Sequence, residues 1–145
     1  MSAQYQHTEF GYNYRMTDIS AAIGREQLKK LPNFNLRRRE IAEMYNSELS
    51  DLVITPKNRR GHVFHQYTIR SSERDKLREF LMNREINTGI YYPSLLYNYP
   101  SMAAYQSSCP NAENLINEVL SLPVHPALSD SDVFEVISSI KAFFE

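Results

Sequence analysis

The sequence predicts an α+β fold, with a small antiparallel sheet of about three strands covered by helices, in a single domain over residues 1–145. Apolar residues recur at intervals of three and four positions in several segments, which is typical of amphipathic helices. Short runs between them alternate apolar and polar residues, which favours strands that are buried on one face. A chain of 145 residues is long enough to bury a core without disulfides.

Five segments have the helical pattern. Because proline interrupts helices, Pro32 is expected to end the first helix, which Thr17 or Asp18 can cap. Ser-x-x-Asp sequences at Ser72 and Ser129 resemble capping boxes that open two later helices. The predicted helices run from Thr17 to Pro32, from about Leu36 to Leu49, behind Ser72–Asp75, from Pro110 through Leu120, and behind Ser129–Asp132.

Three short segments are predicted as strands. Residues 52–55 form an apolar run that Pro56 stops, and residues 62–70 alternate in character. Residues 87–92 form a further short run, which Pro93 breaks. Their order and length favour antiparallel pairing.

Composition excludes little beyond extremes of charge and hydropathy. The formal net charge of -1 gives no general attraction to nucleic acid or to acidic lipid. The single cysteine, Cys109, rules out an internal disulfide and fits a reducing compartment. We find neither a signal peptide nor a membrane span in the sequence. We therefore expect a cytoplasmic protein, with no nucleic-acid or membrane partner.

The obvious reactive residues do not form a site. His62 and His65 are three positions apart, so on a strand they would point to opposite faces and could not share a metal. Structural histidines, and no metal, are the better interpretation. Cys109 precedes a helix and is expected to cap it or to pack. The arginines at 37–39 and the other basic pairs are interpreted as solvated faces.

Two stretches point to ligand binding. Residues 11–16 (GYNYRM) place an amide and a guanidinium beside two tyrosines, which suits a phosphate or a nucleotide. A loop that packs on its own helix explains the same residues equally well. Residues 88–93 (TGIYYP) and the tyrosine-rich residues 96–102 suggest a sugar-binding or interface surface, since tyrosine combines a flat apolar ring with a polar tip. Ordinary packing is the alternative there.

These same stretches resemble the DegT/StrS family of sugar aminotransferases. The resemblance includes four ordered segments and covers nearly the whole chain: residues 11–16 followed by Ala21–Gly24 and Gln27-Leu28, residues 88–93, Cys109–Glu113, and Leu120–Ser129. The family consists of dimeric fold-type I enzymes that depend on pyridoxal phosphate (PLP).

The resemblance implies a role for four residues. Asn13 would donate to the PLP phosphate across the dimer interface, and Arg15 would line the same side. Tyr91 and Tyr92 match positions that contact the nucleotide sugar, although neighbouring strand residues face opposite ways, which would make one of the two a packing residue. The implied reaction moves an amino group from a donor such as glutamate to a nucleotide-linked keto-sugar, in amino-sugar or polysaccharide biosynthesis.

Two departures from the family affect this interpretation. Tyr97 stands where the family commonly has a histidine, which puts the substrate contacts of that loop in doubt. The lysine that holds PLP and the acidic partner of the pyridine nitrogen lie upstream in the family, and no segment here resembles them. We therefore expect a C-terminal domain without the large PLP-binding domain, with no catalytic residue of its own and inactive alone. A separate large-domain partner is one possibility.

The sequence is also compatible with three other interpretations. Some relatives use a histidine in place of the lysine and act as dehydratases. A non-catalytic remnant or interaction module would keep the dimer-forming surface. A nucleic-acid-binding domain is the weakest, because the basic pairs are dispersed among acidic residues.

Overall fold

The computed structural model describes residues 11–12, 14–105 and 107–145, and it contains four helices and two strands in that part of the chain. The chain divides into two compact units, Met1–Pro32 and Asn33–Glu145. The regular elements are α1 (Asp18–Leu49), β1 (Tyr67–Arg70), α2 (Arg74–Met82), α3 (Pro110–Leu115), β2 (Val119–Leu122) and α4 (Asp130–Phe144), with short 3₁₀ turns at Leu96–Asn98 and Pro100–Met102.

Helix α1 begins where the sequence predicts, and Thr17 caps it. The Thr17 hydroxyl oxygen accepts the backbone N–H of Ser20 at 3.2 Å, as an N-cap residue does. The expectation that Pro32 ends this helix is wrong, since α1 runs to Leu49 with Pro32 inside it. A proline inside a helix removes its own N–H from the ladder and crowds the carbonyl four residues earlier, but the residues after Pro32 keep the helical pattern without a glycine or a second proline.

The sheet pairs β1 with β2 in antiparallel register, with Tyr67 opposite Leu122 and Arg70 opposite Val119. Isolated bridges extend it on both sides: Ile54 pairs with Arg70, and Gly89 pairs with Ser121. The α+β class and its small antiparallel sheet are therefore confirmed. The regular sheet has two strands, and the predicted runs at residues 52–55 and 87–92 each contribute a single bridge.

Three local predictions are wrong. The helix predicted through Leu120 ends at Leu115, because the apolar residues after it form the central strand β2. Residues 62–66 lie outside β1, and Phe64 has a left-handed φ of 46°. Ser72 does not cap α2; the preceding serine, Ser71, accepts the Glu73 N–H instead.

Helix α4 is opened by the predicted capping box. The Ser129 hydroxyl oxygen accepts the Asp132 N–H at 3.2 Å, and an Asp132 carboxylate oxygen accepts the Ser129 N–H at 2.8 Å. The Ser129 hydroxyl also donates to Asp132 Oδ2 at 2.7 Å, and this hydrogen bond, with a smaller effect from the Ser129 N–H, lowers the pKa of Asp132. The first turn of α4 is thus fixed by side chains that were identified from spacing alone.

The core lies in the unit formed by residues 33–145. Side chains from the C-terminal half of α1, both strands, α2 and α4 fill it. Tyr45 and Tyr67 are fully buried at its centre, with ring centroids 4.9 Å apart. Their hydroxyls donate to the Pro123 carbonyl at 2.8 Å and to Asn46 Oδ1 at 2.7 Å, so burial leaves neither hydroxyl unpaired. None of the helices in the described ranges is long and apolar enough to cross a membrane.

Candidate functional site

The Tyr91-Tyr92 pair follows a segment that is fixed to the sheet. Gly89 donates its N–H to the Ser121 carbonyl at 2.9 Å, and Ser121 donates back to the Gly89 carbonyl at 2.8 Å. The chain leaves the sheet after this bridge. Tyr92 has a φ of 60°, a left-handed conformation that costs a non-glycine residue about 1 kcal/mol or more. The backbone thus turns sharply at the second tyrosine.

Each of the two tyrosines borders a cleft of its own, and both also line a smaller cleft of about 210 Å³. The Tyr91 ring lies over Gly89 and is 52% exposed, and it lines a cleft that extends toward Arg38 and His125. Tyr92 is 83% exposed and borders an apolar groove. Neither side chain is buried, so the described structure gives neither of them a core-packing role. The groove is lined mostly by apolar and tyrosine side chains, including Leu95, Leu96, Tyr97, Tyr99, Leu115, Ile116 and Val119.

Tyr97 is held by the start of α3. Its hydroxyl donates to Glu113 Oε1 at 2.6 Å, and the Cys109 N–H donates to the same oxygen at 3.0 Å. The hydrogen bond raises the pKa of Tyr97 and, together with the Cys109 N–H, lowers the pKa of Glu113. Cys109 occupies the N-cap position as expected, but its thiol is exposed and makes no capping hydrogen bond, so it is not a packed thiol.

The predicted phosphate-binding segment is only partly described. Asn13 lies outside the described residues. Arg15 is exposed and makes no hydrogen bond or ion pair with another described residue. Tyr12 and Tyr14 are also exposed, and their rings stack with centroids 5.4 Å apart. Since Thr17 caps α1, the capping function near this segment is already filled.

The histidines have separate surroundings. His62 Nδ1 accepts the Phe64 N–H at 2.9 Å and its ring lies 4.0 Å from the Phe64 ring, which is a structural role. His65 and His125 border the Tyr91 cleft. Across residues 11–12, 14–105 and 107–145, no three histidine, cysteine, aspartate or glutamate side chains cluster as a metal site would require.

The interpretation of residues 37–39 as a solvated basic face needs correction. Arg37 forms ion pairs with Asp130 at 2.7 Å and with Glu40 at 3.4 Å. Arg38 lines the Tyr91 cleft, and its Nε is buried with no hydrogen-bond partner in the described structure. The sequence does carry a signal for this position, because Arg38 precedes Ile41, Ala42 and Tyr45 by three, four and seven residues and so shares the buried face of α1.

The comparisons with known proteins agree on one family. Residues 1–141 match the model of the DegT/DnrJ/EryC1/StrS aminotransferase family. The chain belongs to this family, whose aminotransferases are PLP-dependent.

Individual relatives are similar over nearly the whole chain. A pleiotropic regulatory protein of Geobacillus stearothermophilus is 38% identical over 97% of the chain, and the GDP-perosamine synthase of Escherichia coli O157:H7 is 37% identical over 97%. The crystal structure of a DegT DnrJ EryC1 StrS aminotransferase from Brucella abortus superposes with a TM-score of 0.86, at 34% identity over 99% of the chain. The chain spans about 40% of the length of each of these proteins.

Proposed function

We propose that residues 1–145 form the small, C-terminal domain of a PLP-dependent aminotransferase that acts on a nucleotide-linked keto-sugar. The observation that carries this proposal is the family match over residues 1–141, in a chain that spans about 40% of its relatives' length. The remaining part of such an enzyme would supply the large PLP-binding domain. In this proposal the reaction is cytoplasmic and serves amino-sugar biosynthesis, with glutamate as the type of amino donor.

The residues of this chain suit the phosphate end of PLP. An asparagine amide and a guanidinium, at Asn13 and Arg15, are donors that fit a phosphate, and Arg15 is exposed without a partner among the described residues. When bound, PLP supplies the electron sink for amino transfer. Asn13 and Arg15 would hold and orient its phosphate, from the neighbouring subunit of a homodimer.

The lysines of the chain support a division of the site between two parts of an enzyme. Lys29, Lys76 and Lys141 form ion pairs with nearby glutamates on helix surfaces. Lys30 and Lys57 are exposed. In the described structure none of the five borders the cleft beside Tyr91. A lysine that carries PLP must lie against the substrate, so in this proposal it belongs to the large domain.

Tyr91 and Tyr92 are proposed to contact the nucleotide sugar. Both rings are at least half exposed and project from a segment that is anchored to β2 through Gly89. Tyrosine presents a flat surface for a sugar or a base and a hydroxyl for hydrogen bonding, at a low entropic cost. The two clefts that the tyrosines border give one bound ligand two separate contacts.

A chimera tests this proposal directly. We would replace the matching C-terminal part of the E. coli GDP-perosamine synthase with this chain and measure PLP retained per protomer and formation of GDP-perosamine. We expect the chimera to retain PLP, and Asn13→Ala to weaken that retention because one phosphate donor is lost. Tyr92→Ala should raise the KM for the sugar, whereas Tyr105→Ala, an exposed tyrosine that borders neither cleft, should not.

Two results would contradict the proposal. A folded chimera that neither retains PLP nor forms product would show that the chain does not complete such an enzyme. PLP retention that Asn13→Ala leaves unchanged would contradict the proposed role of Asn13 at the phosphate.

A further inference from the structure

The cleft beside Tyr91 has the electrostatic character of an anion site. Its volume is about 400 Å³, and its walls come from α1, residues 65–66, residues 87–91 and residues 121–125. Arg38 carries a permanent positive charge, and His65 and His125 can each carry one. No aspartate or glutamate side chain is among the described residues that line it.

Arg38 is partly buried in this cleft and has no counter-charge among the described residues. Its Nε is buried without a hydrogen-bond partner, and the guanidinium makes no ion pair with any described residue. The adjacent Arg37 is fully engaged, with Asp130, Glu40 and the Leu128 carbonyl. Partly burying a guanidinium without a counter-charge costs free energy unless an anion compensates it.

Other donors surround the same space. His125 Nδ1 accepts the Ala127 N–H at 3.2 Å, so the neutral imidazole carries its proton on Nε2, which remains available as a donor. Gln66 and Asn87 add side-chain amides, and Thr88 adds a hydroxyl. The side chains that line the cleft include several hydrogen-bond donors and one permanent cation, a composition that favours the binding of an oxyanion.

We propose that this cleft binds a small oxyanion, the carboxylate or phosphate group of a ligand, with Arg38 as its principal partner and His125 as a second donor. The identity of the ligand that carries this carboxylate or phosphate rests on the proposed function. Tyr91 belongs with Tyr92 to the candidate sugar site and also lines this cleft, so the anion is either the carboxylate of the amino donor or a phosphate of the nucleotide sugar.

Binding is measurable on the 145-residue chain itself. We would titrate it with inorganic phosphate and, separately, with glutamate, at constant ionic strength set by chloride, and follow the imidazole signals of His65 and His125 by NMR. A saturable shift is expected with at least one of the two anions. Arg38→Gln should weaken that binding at least tenfold, because the charge-assisted hydrogen bonds are lost.

Arg39→Gln is the matched control. Arg39 is the next residue, is also partly buried, and does not line the cleft. The dissociation constant of the Arg39→Gln variant for the anion should therefore stay within about twofold of that of the wild type. Arg38→Lys keeps the charge but loses the planar fork, and it should fall between wild type and Arg38→Gln. Unchanged signals from the core residue Ile137 show that each variant is folded.

The outcomes separate the sources of the anion and the two proposals. Saturation by phosphate alone assigns the cleft to the nucleotide sugar, and saturation by glutamate alone assigns it to the amino donor. The absence of a saturable shift with either anion, or an equal loss in Arg38→Gln and Arg39→Gln, would overturn the inference. If the chimera is inactive while the chain still binds the anion through Arg38, the proposed function is refuted and the anion site stands.

Discussion

Gly89→Ala should disturb the candidate sugar site without removing any side chain from it. A Cβ built at Gly89 would lie 2.7 Å from Cε2 and 2.9 Å from Cζ of Tyr91. Ordinary contacts between such atoms are 3.4–4 Å, so the ring must move by about 1 Å. The backbone conformation of Gly89 is one that alanine can adopt, and the three atoms nearest to the new methyl group, outside the neighbouring residues, all belong to the Tyr91 side chain.

The cost in stability should therefore be small while the change in the site is large. Tyr91 is half exposed and can rotate away, so we expect the free energy of unfolding to fall by no more than about 1 kcal/mol. In the chimera, the displaced ring should raise the KM for the nucleotide sugar several-fold. The measurements are urea unfolding of the chain, the NMR signals of the Tyr91 ring, and steady-state kinetics of the chimera.

Two further variants make this reasoning refutable. Gly24→Ala adds a methyl group in open space on α1, where alanine favours the helix, and it should leave the Tyr91 signals unchanged. Adding Tyr91→Ala should abolish the stability cost of Gly89→Ala, as a double-mutant cycle would show. The reasoning would be refuted if the Tyr91 signals did not move in Gly89→Ala. It would also be refuted if the free energy of unfolding fell by several kcal/mol and Tyr91→Ala did not relieve the loss.

Changes elsewhere in the chain have equally definite expected outcomes. Asn13→Ala should change the free energy of unfolding by no more than about 0.5 kcal/mol, since Thr17 already caps α1, and a loss of about 1 kcal/mol or more in thermal unfolding would favour a cap or brace over a phosphate ligand. The chain incubated with PLP and borohydride should not acquire a stoichiometric adduct on one lysine, which intact-mass spectrometry would detect. The chain should self-associate, because Ile19 and Ile23 are exposed on α1, and Ile23→Glu should reduce the effect; light scattering that shows a monomer over a wide concentration range would contradict this. Because the pKa of Asp132 is lowered in the folded state, its contribution to stability is present above the unfolded pKa of about 3.9 and is lost as the pH falls through the lower folded value. Asp132→Asn should therefore remove that part of the acid dependence of stability, as measured by urea unfolding.

The helices and strands could be predicted where they depend on residues that are close together in the sequence. Helix α4 has both an apolar period and a capping box, and each depends only on residues three or four positions apart. Strand β2 escaped prediction because Leu115, Ile116, Val119 and Leu120 recur at the three- and four-residue spacing of a helix, although the last two belong to the strand. Its identity is determined by pairing with β1, about fifty residues earlier in the chain, and a local pattern contains no information about that partner.

The candidate site could likewise be predicted from local sequence only in part. The GIYYP sequence marks Tyr91 and Tyr92 locally, and the structure adds that each borders a cleft of its own beside the smaller one that they share. The cleft beside Tyr91 joins Arg38, His65 and His125, which are far apart in sequence, so only the fold brings them together. Sequence spacing could have placed Arg38 on the buried face of α1, but it could not have shown that the described residues opposite it lack a carboxylate.

Arg38 contrasts with the two tyrosines that this domain buries. Tyr45 and Tyr67 lie at the centre of the core, where burial raises the pKa of both phenols, and each hydroxyl has a hydrogen-bond acceptor within 2.8 Å. Buried polar groups in folded proteins are paired in this way because an unpaired one costs about 1–3 kcal/mol, and more when it is charged. Arg38 Nε and Arg74 Nε both lack a hydrogen-bond partner, but Arg74 Nε lies 2.6 Å from the Asp75 carboxylate, whereas Arg38 has no such counter-charge among the described residues and lies at the edge of the cleft that Tyr91 shares. A domain that satisfies its core tyrosines and leaves a guanidinium unpaired beside its candidate substrate residues is organised to receive an anion there.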